Sequence, residues 1–447
     1  MTTTESKKTP SSLGTFLTIW GGQFVSAIGS EMTNFAIAIW AWELTGKATP
    51  LSLIFLFSHL PTLIASSFAG VLVDRWNRKQ IMIVGDIIAG FSTIAILLLF
   101  LSNNLEIWHI YLTRVINGLF GYLQNLAFSA SMSTIVPKKH YARGSAMMSI
   151  KYGISLVLSP ACAGVLYPLI GLTGILTIDI TTFIIAVSIL WFLHIPQPKT
   201  SEVENSRSKN WHWQELIFGF RYIFQRKGLL ALMIFLLISN FLAQSSGPAL
   251  LGPMFLARSN TNTVVLGSIQ MAFGVGASVG ATVLTLWGGP KLRINGLLVS
   301  TGLGELTKIL LALGRSSSMW IPAAFSAGFF IPLPGSFNQA IWLSKVEPSV
   351  QGKVFAARYL ATQITVPLGI AVSGVLADYI FEPAMKTDGY LAGIFGGVFG
   401  TGAGAGMALQ IAIISCFSII ITILGYTFHP LRNVEINLSD HDESSRK

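Results

Sequence analysis

The sequence has very few charged residues for its length. Only 11% of its 447 residues are Asp, Glu, Lys or Arg, whereas soluble globular domains carry about 25%. Hydrophobic residues make up 52% of the chain, and the mean hydropathy is +0.64. This composition excludes an ordinary soluble domain and indicates an integral membrane protein.

Motifs that carry catalytic or metal chemistry are scarce as well. The two cysteines, Cys162 and Cys416, lie in apolar runs, which argues against a disulfide framework or a metal site. No Gly-x-x-x-x-Gly-Lys-Ser/Thr phosphate loop occurs, so ATP is not the direct driver unless a separate subunit supplies it. No His-x-x-x-His pair or Ser/His/Asp arrangement stands out either. We therefore expect no cofactor, no metal and no enzyme activity, with a membrane-embedded enzyme, sensor or scaffold as the alternatives.

Long apolar runs dominate the chain. Each can cross a hydrocarbon core of about 30 Å as a helix, and their unbroken character argues against the alternating strands of a β-barrel. The polar stretch 1–14 lacks the features of a removable signal peptide, so we expect the first helix to be retained. The runs form two sets of six, near 15–44, 51–73, 81–101, 108–134, 144–168 and 171–195, then near 229–257, 264–288, 294–314, 319–343, 354–381 and 405–428.

The net charge of +10 is distributed unevenly between the loops. If both termini are cytoplasmic, the loops on the outer side carry only a few basic residues, and the inner loops carry the rest. This asymmetry predicts the orientation in the membrane and explains the positive charge without a nucleic-acid partner. The basic residues predicted outside are Lys47, Arg258, Arg315 and Lys386.

The two sets of runs predict two six-helix halves, 1–195 and 228–447, joined by a cytoplasmic linker at 196–227. Within the linker, apolar residues recur at helical spacing, which predicts an amphipathic helix on the membrane face or, alternatively, one packed on protein. Gly118 and Gly328 lie 210 positions apart, as do Arg143 and Lys353, which indicates duplication. The apolar residues of the linker helix are Trp213, Leu216, Ile217, Phe220 and Phe224.

A short charged loop separates the second and third runs, with the pattern Gly-x-x-x-Asp-Arg-x-x-Arg-Lys. It resembles the signature loop between helices 2 and 3 of major facilitator superfamily transporters. Asn77 replaces the usual second glycine, and Asn tolerates left-handed backbone almost as glycine does. The resemblance implies an all-α integral membrane fold of twelve transmembrane helices in two pseudo-symmetric halves, the major facilitator fold.

The resemblance also implies a role for this loop as a gate. Asp74, with Arg75 and Arg78, would hold the two halves together on the cytoplasmic side, since a carboxylate is favoured at the N-terminus of the eleventh helix. Gly70 would let helices approach closely, and Lys79 completes the pattern. The alternative is a basic loop that only fixes membrane topology.

Glu31 is the residue that most strongly indicates a chemical function, because it lies on a polar stripe of the first helix with Gln23 and Asn34. It could exchange a proton or neutralise a cationic substrate; the alternative is a structural ion pair with Arg114 or Lys151. Arg114 and Asn117 belong to a segment that resembles the Arg-x-x-Gln-Gly motif of the superfamily. An arginine in an apolar run is costly, so Arg114 should face a cavity or a carboxylate, unless it snorkels to the interface.

Other polar residues fall on the helices that line the central cavity in this superfamily, the first, fourth, seventh and tenth. Hydrogen bonding between helices is the alternative for each one singly. Pro332, Pro334 and Gly335 predict an irregular tenth helix. Pro160 and Gly164 belong to a relaxed form of the Gly-Pro-x-x-Gly-Gly motif of exporters. The predicted cavity-lining residues are Gln23, Gln124, Asn125, Asn240, Gln244, Asn338 and Gln339.

Several further ionisable residues lie within the runs. Glu305 and Lys308 are three apart on one helix face, which predicts a local neutralising pair. For Asp86, Asp179 and Asp378 we expect structural partners, and the sequence leaves the role of Lys151 open.

The opening 22–30, the segment 219–222 and the stretches 381–385 and 400–408 resemble the macrolide-efflux-like branch of drug exporters. The resemblance implies a secondary transporter that works by alternating access and exports amphipathic small molecules in a proton-coupled reaction. We expect it to reside as a monomer in the lipid bilayer of the inner membrane. A lysolipid flippase and a small-molecule importer are the alternatives within transport.

Overall fold

The computed structural model describes residues 13–66, 68–137, 140–193 and 211–437. Within these ranges every regular element is a helix, and no strand occurs in them. The all-α fold class predicted from the apolar runs is therefore confirmed. The first part of the predicted linker, up to residue 210, lies outside the described residues.

The N-terminal part of the chain contains six helical elements. α1 ends where Gly46 adopts a positive φ of +60°. α4 is capped by Asn77, whose side chain accepts a hydrogen bond from the backbone N–H of Gln80. The elements are α1 (Leu13–Thr45), α2 (Ala48–Ser66), α3 (Ala69–Arg75), α4 (Arg78–Leu101), α5 (Ile107–Ile135) and α6 (Tyr141–Phe192).

The remaining described residues form the linker helix and the C-terminal part. A π-helical turn, Ala377–Phe381, continues directly from α14. The elements are α7 (Trp211–Phe224), α8 (Lys227–Ser245), α9 (Pro248–Arg258), α10 (Thr263–Trp287), α11 (Arg293–Leu313), α12 (Ser317–Phe330), α13 (Pro332–Lys345), α14 (Gln351–Leu376), α15 (Glu382–Ala384), α16 (Ala392–Phe399), α17 (Ala405–Thr427), α18 (His429–Arg432) and α19 (Val434–Asn437).

Nine segments of the described chain are long and apolar enough to cross a membrane. One of them, in α6, covers two of the predicted runs, because the backbone turns at Gly171, where φ is +64° and ψ is −171°. α5 and the pair α12 and α13 match two further predicted runs. The structure is therefore compatible with twelve spans.

Prolines divide some of the predicted runs into shorter helices. α8 ends at Ser245 and α9 begins at Pro248, while α12 ends at Phe330 and α13 begins at Pro332. Proline has no backbone N–H and clashes with the preceding turn, so it is readily accepted at the start of a helix and kinks or breaks one elsewhere. The predicted irregularity of the tenth helix is thus confirmed.

The helices divide into two compact units. The first contains the described residues of 1–37 and 57–203, and its core packs α1 and α3–α6 around Phe16, Met82 and Phe128. The second contains the described residues of 204–447 together with 38–56, and its core surrounds the fully buried Trp342. The end of α1 and the beginning of α2 therefore pack with helices that follow them by some 200 residues or more in the chain.

The linker helix α7 packs on α14. A Cβ at Gly219 would lie only 2.4 Å from the carbonyl oxygen of Lys353, so the two backbones approach closely there. Ile223 is fully buried, whereas 63% of Ile217 is exposed. The alternative of a helix packed on protein thus holds for one face of α7. Membrane contact through Ile217 stays a prediction, and Trp213 lies outside the described side chains.

The π-helical turn after α14 and the short helix α15 that follows it present acidic side chains to helix N-termini. The carboxylate of Asp378 accepts hydrogen bonds from the backbone N–H groups of Ala48 (2.9 Å) and Thr49 (2.7 Å), in the first turn of α2. Glu382 accepts one from Met407 (2.8 Å) in the first turn of α17. The free N–H groups and the dipole of a helix N-terminus favour a carboxylate. The structural partner expected for Asp378 is confirmed.

Replacing Asp378 with alanine should lower the thermal midpoint of the purified protein, because two N–H donors of α2 lose a charged acceptor. Hydrogen bonds to charged groups contribute about 1.5–3 kcal/mol. Asp388→Ala is the matched control, since Asp388 is exposed in a nearby loop. Equal midpoints of the two variants in detergent would show that the hydrogen bonds to Asp378 contribute little.

Candidate functional site

Three of the residues predicted to couple transport or bind substrate form a hydrogen-bonded chain. Asn34 donates from Nδ2 to Oε2 of Glu31 (3.2 Å), one turn earlier on α1. The guanidinium of Arg114 on α5 donates from Nη1 to Oδ1 of Asn34. One amide therefore connects an acid and a base on two different helices, which its paired donor and acceptor groups allow.

The two charged ends of this chain differ in burial. Glu31 is exposed, whereas Arg114 is partly buried, and the charges of Glu31 and Asp179 both attract its guanidinium. Arg114 thus contacts α1 through Asn34 and has negative charge nearby. A buried arginine is tolerated under such conditions. This arrangement resembles the ion-pair alternative with Asn34 inserted between the partners.

Asn117 and Gly118, just beyond Arg114, hold α5 against its neighbours. Asn117 Oδ1 accepts a hydrogen bond from Ser92 Oγ (3.0 Å) on α4. A Cβ at Gly118 would lie 2.6 Å from the carbonyl oxygen of Ser58 on α2. The segment 114–118 therefore combines a charged group with two close helix contacts, and these contacts determine where Arg114 lies.

A second polar cluster lies around Asp86 on α4, whose exposed fraction is 4%. Gln23 Nε2 of α1 donates to Asp86 Oδ2 (2.7 Å), and Gln124 Nε2 of α5 donates to Oδ1. The same amide nitrogen of Gln124 lies 3.1 Å from Oε1 of Gln23. The structural partners expected for Asp86 are thus confirmed. Gln23 and Gln124 bind this carboxylate, and their predicted function as cavity lining stays a prediction.

A third cluster surrounds Asp179 on α6. Its carboxylate accepts hydrogen bonds from Ser30 (3.1 Å) and Thr33 (3.1 Å) of α1 and from Thr93 (2.9 Å) of α4. Asp179 is buried. Three hydroxyl groups from two other helices therefore satisfy the hydrogen-bonding capacity of a buried acceptor, and the prediction of structural partners is confirmed.

The residues of the predicted gating loop lie in different environments. Arg78 is buried and donates to the carbonyl oxygen of Ala130 (2.8 Å), while Lys79 donates to that of Trp191 (3.0 Å). Both therefore bind the backbone of other helices in the N-terminal unit. Asn77 has an extended backbone with φ of −65° as the cap of α4, so the left-handed tolerance expected of it is not used.

The gating function itself stays a prediction. The side chain of Asp74 lies outside the described side chains, and Arg75 is exposed. A Cβ at Gly70 would meet no atom of the described residues within 4 Å, and the close helix approach expected there stays a prediction.

The remaining predicted cavity residues are dispersed. Asn125 donates to the carbonyl oxygen of Gly121 on its own helix (2.9 Å). Gln339 accepts from Arg358 (2.7 Å), and Oδ1 of Asn338 has no hydrogen-bond partner within the described residues. Their function as cavity lining stays a prediction. Asn240 and Gln244 on α8 are partly buried, and Pro160 and Gly164 are buried in α6.

The predicted neutralising pair in α11 is confirmed. Lys308 Nζ lies 2.8 Å from Glu305 Oε1, and Ser415 of α17 donates to the other carboxylate oxygen (2.9 Å). Both carboxylate oxygens of Glu305 thus have partners. The charge of Glu305 is therefore compensated within the C-terminal unit.

Long apolar helices with charged and amide side chains bound to one another between them define a polytopic membrane protein. A sequence model described as the Major Facilitator Superfamily matches residues 19–370. The chain belongs to the Major Facilitator Superfamily, as its charged loop predicted.

Named relatives agree with this assignment. The chain is 27% identical over 367 residues to macrolide efflux protein A of Streptococcus pyogenes, which covers 82% of this chain and 90% of that one. It is 20% identical over 377 residues to the multidrug efflux pump Tap of Mycolicibacterium fortuitum, with the same two coverages. The predicted resemblance to the macrolide-efflux-like branch is therefore confirmed.

A solved structure supports the fold. A bacterial homologue of the iron transporter ferroportin, in an inward-facing state, matches 93% of this chain and 99% of its own with a TM-score of 0.65. Its sequence identity of 12% supports the fold alone. The major facilitator fold is thus confirmed.

Proposed function

We propose that this protein is a secondary active transporter that exports amphipathic small molecules in exchange for protons by alternating access. The observation that carries the proposal is the chain Glu31–Asn34–Arg114, which places an exposed acid next to a partly buried base in the N-terminal unit. The names of the relatives, which describe efflux proteins for macrolides and for several drugs, support export and substrate class.

In this proposal Glu31 is the group that meets the substrate or the proton. An exposed carboxylate on a membrane helix can neutralise the cationic part of an amphipathic molecule or bind a proton. Asn34 links it to Arg114, so a change in the charge of Glu31 alters the electrostatic environment of the arginine at once. That connection is the simplest way for binding of substrate or a proton at Glu31 on α1 to change the position of α5.

The proposed cellular setting is the inner membrane, with both termini in the cytoplasm. The uneven distribution of basic residues between the loops supports this orientation, and the apolar helices support a membrane location. We propose a monomer, because two six-helix halves in one chain can bury each other's faces without a second copy.

The test is drug uptake into inverted inner-membrane vesicles with an imposed inside-acid pH gradient. In this geometry, export appears as uptake driven by protons that leave the vesicle. Radiolabelled erythromycin, tetracycline and ethidium serve as probes. We expect gradient-driven uptake of at least one probe by the wild type and a loss of about tenfold or more in Glu31→Gln, since a neutral amide cannot replace the carboxylate charge.

Glu43→Gln is the matched control, because Glu43 is an exposed acid on the same helix. It should transport like the wild type when expressed to the same level. Equal uptake by wild type and Glu31→Gln would remove Glu31 from the mechanism. Uptake of no probe by the wild type would contradict drug export and direct attention to lipid substrates.

A further inference from the structure

Asp86 differs from the other two buried acids of the membrane helices, Asp179 and Glu305, in the chemistry of its partners. Gln23 and Gln124 hold it with side-chain amides, each of which has N–H donors and a carbonyl acceptor. By rotation through half a turn, an amide that donates to a carboxylate can accept from a carboxylic acid. The immediate partners of Asp86 can therefore satisfy it both with and without a proton.

Four other carboxylates each lie beside a group that favours the ionised form. Asp378 and Glu382 accept from backbone N–H groups, which cannot become acceptors. Glu305 has the ammonium of Lys308 at 2.8 Å. The three hydroxyl groups that donate to Asp179 can also accept, so the nearby charge of Arg114 is what favours its ionised form. These four acids are suited to a constant charge.

Among the described residues, Lys151 is the charged group whose electrostatic attraction acts on the Asp86 carboxylate. From α1 and α5 the groups that face its carboxylate are the uncharged amides of Gln23 and Gln124, and from α6 the ammonium of Lys151 attracts it. Lys151 Nζ lies 5.3 Å from the centre of the Phe128 ring, a cation–π contact that holds the ammonium beside α5. Asp86 thus has a nearby positive counter-charge, the Lys151 ammonium, which makes no direct hydrogen bond to it.

We propose that Asp86 carries the transported proton and that Lys151 balances the carboxylate after the proton has left. The Asp86 carboxylate takes up one proton from the side of higher proton concentration, and the resulting O–H donates to an amide oxygen of Gln23 or Gln124. On the other side the O–H bond breaks, the proton leaves to water, and the amide N–H groups again donate to the carboxylate. Glu31, which is exposed, is then left to meet the cationic part of the substrate.

This inference rests on the proposed function, and two transport modes separate it from that function. Vesicles preloaded with unlabelled erythromycin and diluted into labelled erythromycin at equal pH measure exchange, which needs no net proton transfer. Vesicles with an inside-acid gradient measure driven uptake, which does. Asp86→Asn imitates the protonated acid, so we expect exchange within about twofold of the wild type and driven uptake reduced about tenfold or more.

Three further variants keep the result interpretable. Asp86→Glu should restore at least part of the driven uptake, because it restores a carboxylate. Lys151→Gln should also lose driven uptake and keep exchange, because the ionised acid loses its counter-charge. Gln80→Ala, an exposed residue in the first turn of α4, should behave like the wild type.

Several results would overturn the inference. Driven uptake by Asp86→Asn at the wild-type level would show that the proton travels elsewhere. Loss of exchange together with driven uptake in both Asp86→Asn and Lys151→Gln would assign the cluster a structural role. A wild type with neither exchange nor driven uptake would overturn the proposed function and, with it, this inference.

Discussion

Replacing Gly280 with valine should sharply lower the yield and the thermal midpoint of the protein. α10 and α12 approach backbone to backbone, and an added Cβ at Gly280 would lie 2.1 Å from the carbonyl oxygen of Phe329. One turn earlier, a Cβ at Gly276 would lie 2.1 Å from the carbonyl oxygen of Phe325. Backbone atoms cannot rotate away as a flexible side chain can, so the two helices must separate.

The expected cost is about 3 kcal/mol or more, at the upper end of what overpacking causes. The close contact is reciprocal, because a Cβ at Gly328 of α12 would lie 2.2 Å from the carbonyl oxygen of Phe273 on α10. Membrane helices use small residues in this way to increase dispersion contacts in a solvent that gives no hydrophobic drive. Loss of the contact therefore removes a main source of stability in this unit.

Gly335→Val is the matched control, since a Cβ at Gly335 in α13 would meet nothing within 4 Å. It places the same side chain in a helix of the same unit and carries only the propensity cost of valine. Fluorescence-detected size exclusion and a melting curve in detergent measure the difference. If Gly280→Val melted within about 1 °C of Gly335→Val, the close approach of α10 and α12 would be wrong.

Replacing Asp179 with alanine should be the second large effect. The hydroxyl groups of Ser30, Thr33 and Thr93 lose their common acceptor, and Arg114 loses one of the two negative charges that attract it. An unsatisfied buried polar group costs about 1–3 kcal/mol. Thr93 keeps a second acceptor, the carbonyl oxygen of Ala89 at 3.3 Å, so we expect a total of about 2–4 kcal/mol.

The measurement is the thermal midpoint of Asp179→Ala against Asp179→Asn and Thr177→Ala. Asparagine keeps an acceptor oxygen and should lie between alanine and the wild type. Thr177 is exposed on the same helix and bonds only to its own backbone, through the carbonyl oxygen of Thr173 (2.8 Å). A midpoint for Asp179→Ala equal to that of Thr177→Ala would mean that the hydroxyl cluster does not stabilise the unit.

Several local features of the fold follow from short stretches of the chain. The apolar runs indicated the helices, because a backbone inside hydrocarbon must satisfy its own hydrogen bonds and only a helix does so within one segment. The prolines at 332 and 334 indicated the break between α12 and α13 for an equally local reason. The charged loop that begins at Gly70 indicated the superfamily, since its spacing is contained in ten consecutive residues.

The candidate site was predicted in part. Glu31 and Asn34 are three residues apart on one helix, so their contact follows from helical geometry. Arg114 was expected to face an acid or a cavity because its insertion cost demands compensation. That its partner is Asn34, 80 positions away, could not be predicted, because the partner depends on how α5 is rotated against α1.

By itself, then, the sequence determined the helical class, the apolar runs, the break at Pro332 and the family, all of which depend on neighbours in the chain. Only the tertiary structure decided which polar groups meet. Asp86 binds Gln23, 63 positions away, and Asp378 binds the N-terminus of α2, 330 positions away. These pairs depend on the rotation and axial position of each helix against its neighbours. Both are determined by side-chain packing over whole helix faces, whose residues are spread along the chain and cannot be read from any short stretch of sequence.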